Sequence, residues 1–222
     1  MKKLRILSSL FAAAFGLQSS HALDFGVKSD LWDIALGTTI TAHSPFDAAL
    51  GSPHPYDARD IFGGTYGDFI PEKGDVVFND NQPAGFIHFV EWMTPSPVTI
   101  GSFSLHAAAD GNPTYQREIA RFRLLAKSAN SSTYDLTLFD AEPARPYTYI
   151  DFATLLLIHA DISAVTAQEF RAEFYDVGGT PFGGPRVIEL DGFAPVPEPT
   201  VAALLLGGAL VALNPRRQSR RL

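Results

Sequence analysis

The side chains able to hold or attack a ligand in this sequence are histidines, carboxylates and aromatic rings, because cysteine is absent. That absence removes thiolate metal sites, thiol catalysis and disulfides. His43, His54, His88, His106 and His159 show neither H-x-x-x-H nor H-E-x-x-H spacing, so no two of them share a helix face for a metal. His88 and His106 fall within strand-like runs, where packing or solvation is the ordinary role. No serine sits in a G-x-S-x-G elbow, since Gly51-Ser52 and Gly101-Ser102 lack its remainder. Gly63-Gly64-Thr65-Tyr66-Gly67 reads as a loop rather than a phosphate cradle. The reading is therefore of a protein that is not an enzyme. A secreted carbohydrate-active enzyme stays an alternative, because so many acids always offer carboxylate pairs. The rings of His54, Tyr56, Tyr66 and Tyr115 lie in loop-like segments. They either stack on sugar rings or pack their loops onto the body of the domain.

Charge narrows the partners. The whole chain carries a net charge of -7, but the basic residues crowd its two ends. Residues 23–195 hold 23 acidic and 10 basic residues, a net of -13. Such a domain repels phosphate backbones, which argues against nucleic acid. Its acidity is either a solubilising exterior or a set of hard oxygen donors suited to calcium.

The elements that must position these residues are strands. Runs over 75–78, 86–92, 98–107, 119–128, 133–139, 154–161, 168–177 and 186–193 are rich in β-branched and aromatic residues. Several alternate in the strand period, as in Thr99, Gly101, Phe103 and Leu105. Turn clusters at 110–113, 128–132 and 177–179 separate them. Short strands at this spacing predict an all-β sandwich or barrel. Residues 164–171 offer a short helical alternative, and 41–71 form a long entry loop bearing glycine and proline.

Both ends read as addresses. Lys2, Lys3 and Arg5 precede an apolar stretch from Ile6 to Leu17, with Ser20 and Ala22 at small-residue positions. This is the layout of a signal peptide over residues 1–22, a signal helix cut between Ala22 and Leu23 by signal peptidase. At the other end, residues 201–213 are apolar or glycine and an arginine cluster follows. As a transmembrane helix this run is short, about 20 Å against a hydrocarbon core of about 30 Å. The segment 196–222, with Pro197, Glu198 and Pro199 before the apolar run and Arg216, Arg217, Arg220 and Arg221 after it, resembles the PEP-CTERM sorting signal. That resemblance implies recognition by exosortase, a membrane-embedded transpeptidase-like enzyme, with processing near the Pro-Glu-Pro triplet. It further implies transient anchoring in the inner membrane, then residence in the cell envelope or outside the cell.

The mature domain, 23–195, resembles discoidin-like, galactose-binding-like jelly rolls at three places. Ile40-Thr41-Ala42-His43-Ser44 is similar to the opening strand. Ala58-Arg59-Asp60 with Thr65 keeps the spacing of the following loop, although Ile61 stands where the family has glycine. The pair 168–174 and 186–190 is similar to the last two strands. The resemblance implies a structural calcium near this loop, held by Asp60, Thr65 and Glu189; no other cofactor is required. The combined expectation is a jelly-roll sandwich that binds polysaccharide or cell-surface glycan without catalysis. The alternative is a structural matrix or biofilm component with no small ligand.

Overall fold

A computed structural model describes residues 30–46, 57–63, 76–80, 82–110, 117–142, 147–150, 153–177 and 183–196. The expected signal helix and the expected transmembrane helix lie outside these residues. None of the described helices is long and apolar enough to cross a membrane.

The described residues form eight antiparallel strands: β1 (Thr39–His43), β2 (Val76–Val77), β3 (Ile87–Asp110), β4 (Ile119–Ala126), β5 (Leu136–Ala141), β6 (Tyr147–Ile150), β7 (Ala153–Asp176) and β8 (Arg186–Phe193). β3 and β7 are 24 residues each and pair with one another along almost their whole length. Their first and second halves belong to different layers. Residues 87–93 of β3 and 169–176 of β7 join β1, β4 and β5 in one layer, sheet I. Residues 98–110 of β3 and 153–167 of β7 join β2, β8 and β6 in the other, sheet II.

The corner between the layers is written in the sequence. Met93 pairs with Glu169 and Val98 with Ala167, so residues 94–97 face Gln168 alone. Two of those four, Pro95 and Pro97, have no N–H to give to a ladder. Side chains satisfy the freed backbone instead. Thr94 Oγ1 donates to Ser96 O at 2.8 Å, and Gln168 Nε2 donates to Thr94 O at 2.9 Å. A second irregularity sets Gly101 against residues 162–164 of β7, so both long strands turn. Strands that switch layers by bulges close a sandwich at its corner.

The inner faces meet in an aromatic core. Phe103 of sheet II packs on Phe122 and Phe139 of sheet I, with ring centroids 5.9 and 5.0 Å apart. Trp32, ahead of β1, wedges against Trp92 at 5.0 Å and Phe170 at 5.2 Å. Gly192 makes room for it, since a Cβ there would lie 2.5 Å from the indole. The outer face of sheet I is an ion ladder. Arg171 pairs with Glu91 and Glu173, Arg123 with Glu173 and Asp140, Arg121 with Asp140, and Lys127 with Glu169.

Expectation and structure differ in definite places. The runs 86–92 and 98–107 are one strand, as are 154–161 and 168–177, because the prolines mark a bend and not an end. Residues 164–171 are strand and not helix, since Phe170 is buried against Trp92 while its neighbours pair with β3. The run at 133–139 starts late, at Leu136, because Asp135 caps the preceding turn through the Ser128 N–H and hydroxyl. β2 is two residues long, with Phe78 in a lone bridge to Phe46. The segment 41–71 contains the end of β1 and a 3-10 turn, Ala58–Phe62, whose Ile61 and Phe62 are buried. β6 had no counterpart among the expected strands.

Gly192→Ala should cost about 1–3 kcal/mol by overpacking Trp32. A urea melt reads this as a lower midpoint with an unchanged slope. An unchanged midpoint would show that the Trp32 wedge is not held by that contact.

Candidate functional site

Because β3 and β7 double back at the corner, both tips of β3 and the end of β7 arrive together at the opposite end of the sandwich. There Ala108 and Val77 both pair with Arg186, Ile87 pairs with Tyr175, and Ile119 with Asp176. This loop end is plugged by polar side chains where the aromatic core stops. Arg117 donates to both oxygens of Asp80, at 3.0 and 3.2 Å, and is itself 1% exposed. Asp80 also accepts the Gly184 N–H at 2.9 Å. Gly184 is required, because a Cβ would fall 1.8 Å from Phe78 O. Arg117 adopts φ 66°, a left-handed conformation rare for a bulky residue, and the pair with Asp80 holds it there. A buried pair of this kind is destabilising by about 3–5 kcal/mol when one partner is removed.

Beside it, His88 lies between the rings of Phe78 and Phe86, with Nε2 3.6 Å from Asp176 Oδ2. His88 and His106 are both buried strand residues, as their positions suggested. Phe86 and Ile87 are exposed at this end, and His43 stacks on Phe46 at 4.5 Å. The result is a rigid rim of polar groups and exposed apolar surface fixed by three separate chain segments.

His54, Tyr56, Tyr66, Tyr115 and Thr65 lie outside the described residues, as do Pro197, Glu198, Pro199, the tail arginines, Ala22 and Leu23. Phe46 bridges Phe78 ahead of His54 and Tyr56, and Arg117 follows Tyr115. Asp80, Arg117 and Asp176 were missed in the sequence. Asp80 and Arg117 are 37 residues apart, so no local spacing announces the pair.

The second chemically distinctive place is the outer face of β8. Asp60 sits in the 3-10 turn, which packs against β8, the strand carrying Glu189. The two expected calcium residues are thus on neighbouring elements. Glu189 hydrogen-bonds Asp191, with Asp30 and Asp33 adding negative charge nearby. Burial is the first cause that pushes these carboxyls up, Glu189 to about 7, Asp191 to about 9 and Asp30 to about 6. Asp30 rises despite accepting the Trp32 and Gly192 N–H groups, at 3.0 and 2.7 Å. Carboxylates of this kind are the donors calcium takes, yet among the described residues no three acids or histidines are grouped to hold a metal.

The fold is an all-β antiparallel sandwich, similar to that of a solved chitosan-binding module. A selenomethionine-labelled mutant of chitosan-binding module 1, from a chitosanase/glucanase of Paenibacillus sp. IK-5, is similar with a TM-score of 0.50 and 16% identity, over 75% of this chain and 98% of that one. The C-terminal domain of a chitobiase from Bacteroides fragilis gives 0.48 and 15%, over 72% and 95%. The module CBM32-3 of a family 31 glycoside hydrolase from Clostridium perfringens gives 0.47 and 7%, over 71% and 91%. No protein-family model matches the sequence, and no curated protein matches it.

The raised carboxyls set the sign of a pH effect. At these three carboxyls the native state holds more protons than the unfolded chain between about pH 4 and 9, so the stability they contribute at low pH is lost as pH rises, while His106, pushed down to about 4 by burial, opposes this only below its ordinary value of 6.5. Melting in chelator should show the midpoint falling from pH 5 to 9, and Asp191→Asn should flatten that fall. Calcium added at pH 8 raises the midpoint if Asp60 and Glu189 share an ion. An unmoved midpoint removes calcium from the account.

Proposed function

We propose that the mature chain is a non-catalytic glycan-binding module of the cell envelope or extracellular matrix. The observation that carries this reading is a carbohydrate-binding-module fold whose loop end is a rigid, polar-plugged rim beside exposed Phe86 and Ile87. His54, Tyr56, Tyr66 and Tyr115 are the aromatic candidates for stacking on sugar rings. An acidic domain of net charge -13 is drawn to cationic polymers, which puts chitosan oligosaccharides first among the probes.

Delivery follows from the chain ends. Residues 1–22 direct export, and signal peptidase cuts between Ala22 and Leu23. Pro197, Glu198 and Pro199, the apolar run 201–213 and the arginines Arg216, Arg217, Arg220 and Arg221 form the exosortase signal. Proline on either side of Glu198 disfavours helix in such a sequence, which suits recognition by a processing enzyme.

On an oligosaccharide array the protein should bind a defined set of glycans, with Tyr56→Ala and Tyr115→Ala each weakening binding about tenfold, the effect of losing about 1.4 kcal/mol of stacking. Absence of binding to any glycan would leave a structural matrix component as the better reading. In the native host, intact mass should show the wild type without its tail and Glu198→Ala at full length in the inner membrane. If both stay at full length, the tail is an anchor only.

A further inference from the structure

β7 pairs with β3 along one side, but its other side is taken only near its ends. There β6 pairs with residues 153–156 and β4 with residues 170–176, and Glu169 O accepts the Lys127 N–H. Among the described residues nothing pairs with 157–166 on that side. The other sheet edges are short or blunted. β2 and β6 have two and four residues, β1 is bulged between Ile40 and Ala42, and Asp140 of β5 is held by Arg121 and Arg123. Residues 157–166 contain no proline, lysine or glycine, and Asp161 is their one formal charge.

The two faces of this edge differ. Ala160 stands opposite the core residue Phe103, so Ile158, Ala160 and Ile162 face the sandwich and pack half-buried against its core. His159, Asp161 and Ser163 face outward and are exposed. Neither His159 nor Asp161 has a hydrogen bond or ion pair among the described residues; the His159 ring has only Phe193 beside it, at 6.3 Å. A donor and an acceptor two residues apart on one bare edge suit a copy of the same edge, met antiparallel about a twofold axis.

The residue on the axis decides the register. An axis on Asp161 sets like charges against each other, and an axis on His159 sets imidazole against imidazole. An axis on Ala160 sets His159 opposite Asp161 twice, Ile158 opposite Ile162 twice, and the small Ala160 against itself. Inward side chains then stay inward on both copies. We propose that the chain forms a twofold dimer in which residues 157–163 of two copies of β7 pair antiparallel, with His159 of each copy opposite Asp161 of the other. The ladder is about 23 Å long and leaves β6 in place. A net charge of -13 on each domain opposes association at long range, and physiological salt screens it beyond about 8 Å. Ala153 lies at the loop end, where it pairs with Asp110, so antiparallel copies point their loop ends in opposite directions. Such a dimer holds two glycan chains at once; that consequence rests on the glycan-binding reading, and the dimer itself does not.

The protein purified from its native host, in density-matched detergent where the tail is retained, is measured by sedimentation equilibrium at neutral pH and physiological salt. The wild type should dimerise in the micromolar range. His159→Asp sets carboxylate against carboxylate at both ends of the ladder and should raise the dimer Kd about tenfold. Adding Asp161→His to it exchanges the two groups and should restore the wild-type Kd. Both positions are exposed, where substitutions disturb folding little. Because the chain has no cysteine, single replacements report the register directly. Ala160→Cys should form a disulfide between copies on mild oxidation, since the axis brings position 160 within bridging distance of itself. Ser163→Cys should not, because its copy lies about 20 Å away along the ladder. A wild type that stays monomeric overturns the proposal. So does a dimer that His159→Asp leaves unchanged, that the exchange fails to restore, or that cross-links equally at 160 and 163. A dimer that binds no glycan overturns the glycan-binding reading instead and leaves this interface standing.

Discussion

The fold depends on how the backbone is satisfied where β3 and β7 turn from one layer to the other. Four residues of one strand set against a single residue of the other, two of the four proline, would leave carbonyls without partners inside a packed domain. Thr94 and Gln168 supply those partners from their side chains. With the corner satisfied, a single hairpin of two long strands serves both layers, and the inner faces close on Phe103, Trp92 and Phe170. The corner also decides where everything else goes. It brings both tips of β3 to one end and leaves the other end to the chain's entry and exit.

Charge is distributed along the same lines. On the outer face of sheet I the bases are matched by neighbouring acids, as in Arg171 with Glu91 and Glu173. On the outer face of β8 the acids are grouped with one another, and burial holds protons on them. At the loop end one buried pair, Arg117 with Asp80, ties the segments before β3, β4 and β8 together. On one face bases and acids are matched, on the second the carboxyls are buried together, and the loop end is tied by a buried ion pair.

Much of this was legible in the sequence. The strand from Arg186 to Phe193 was bounded correctly, because alternation and the preceding glycines agree there. The all-β class followed from turn residues and β-branched runs. What failed was continuity, since Pro95 and Pro97 are local breakers and only the register with Gln168 shows that the strand resumes. The helical alternative at 164–171 failed for a related reason, because its short apolar spacing is shared by a strand buried on one face. The site was less legible than the fold. Asp80 and Arg117 carry no spacing signal, and their pairing exists only once β2, β4 and β8 are assembled. Glu189 was singled out by resemblance, and Asp191 shares its face two residues on in the same strand, but the entry carboxylates Asp30 and Asp33 come near only through the clamp at Gly192.

The position of β8 has one further effect. It lies between β2 and β3, and it is also the last strand in the chain. Sheet II therefore has a gap at its centre until residue 193 is available, and Trp32 has no Gly192 to rest on. Contacts of such long sequence separation form slowly. A polypeptide threaded through a pore from its N-terminus cannot complete this domain behind the pore or within it. The domain is complete only once its final strand is available.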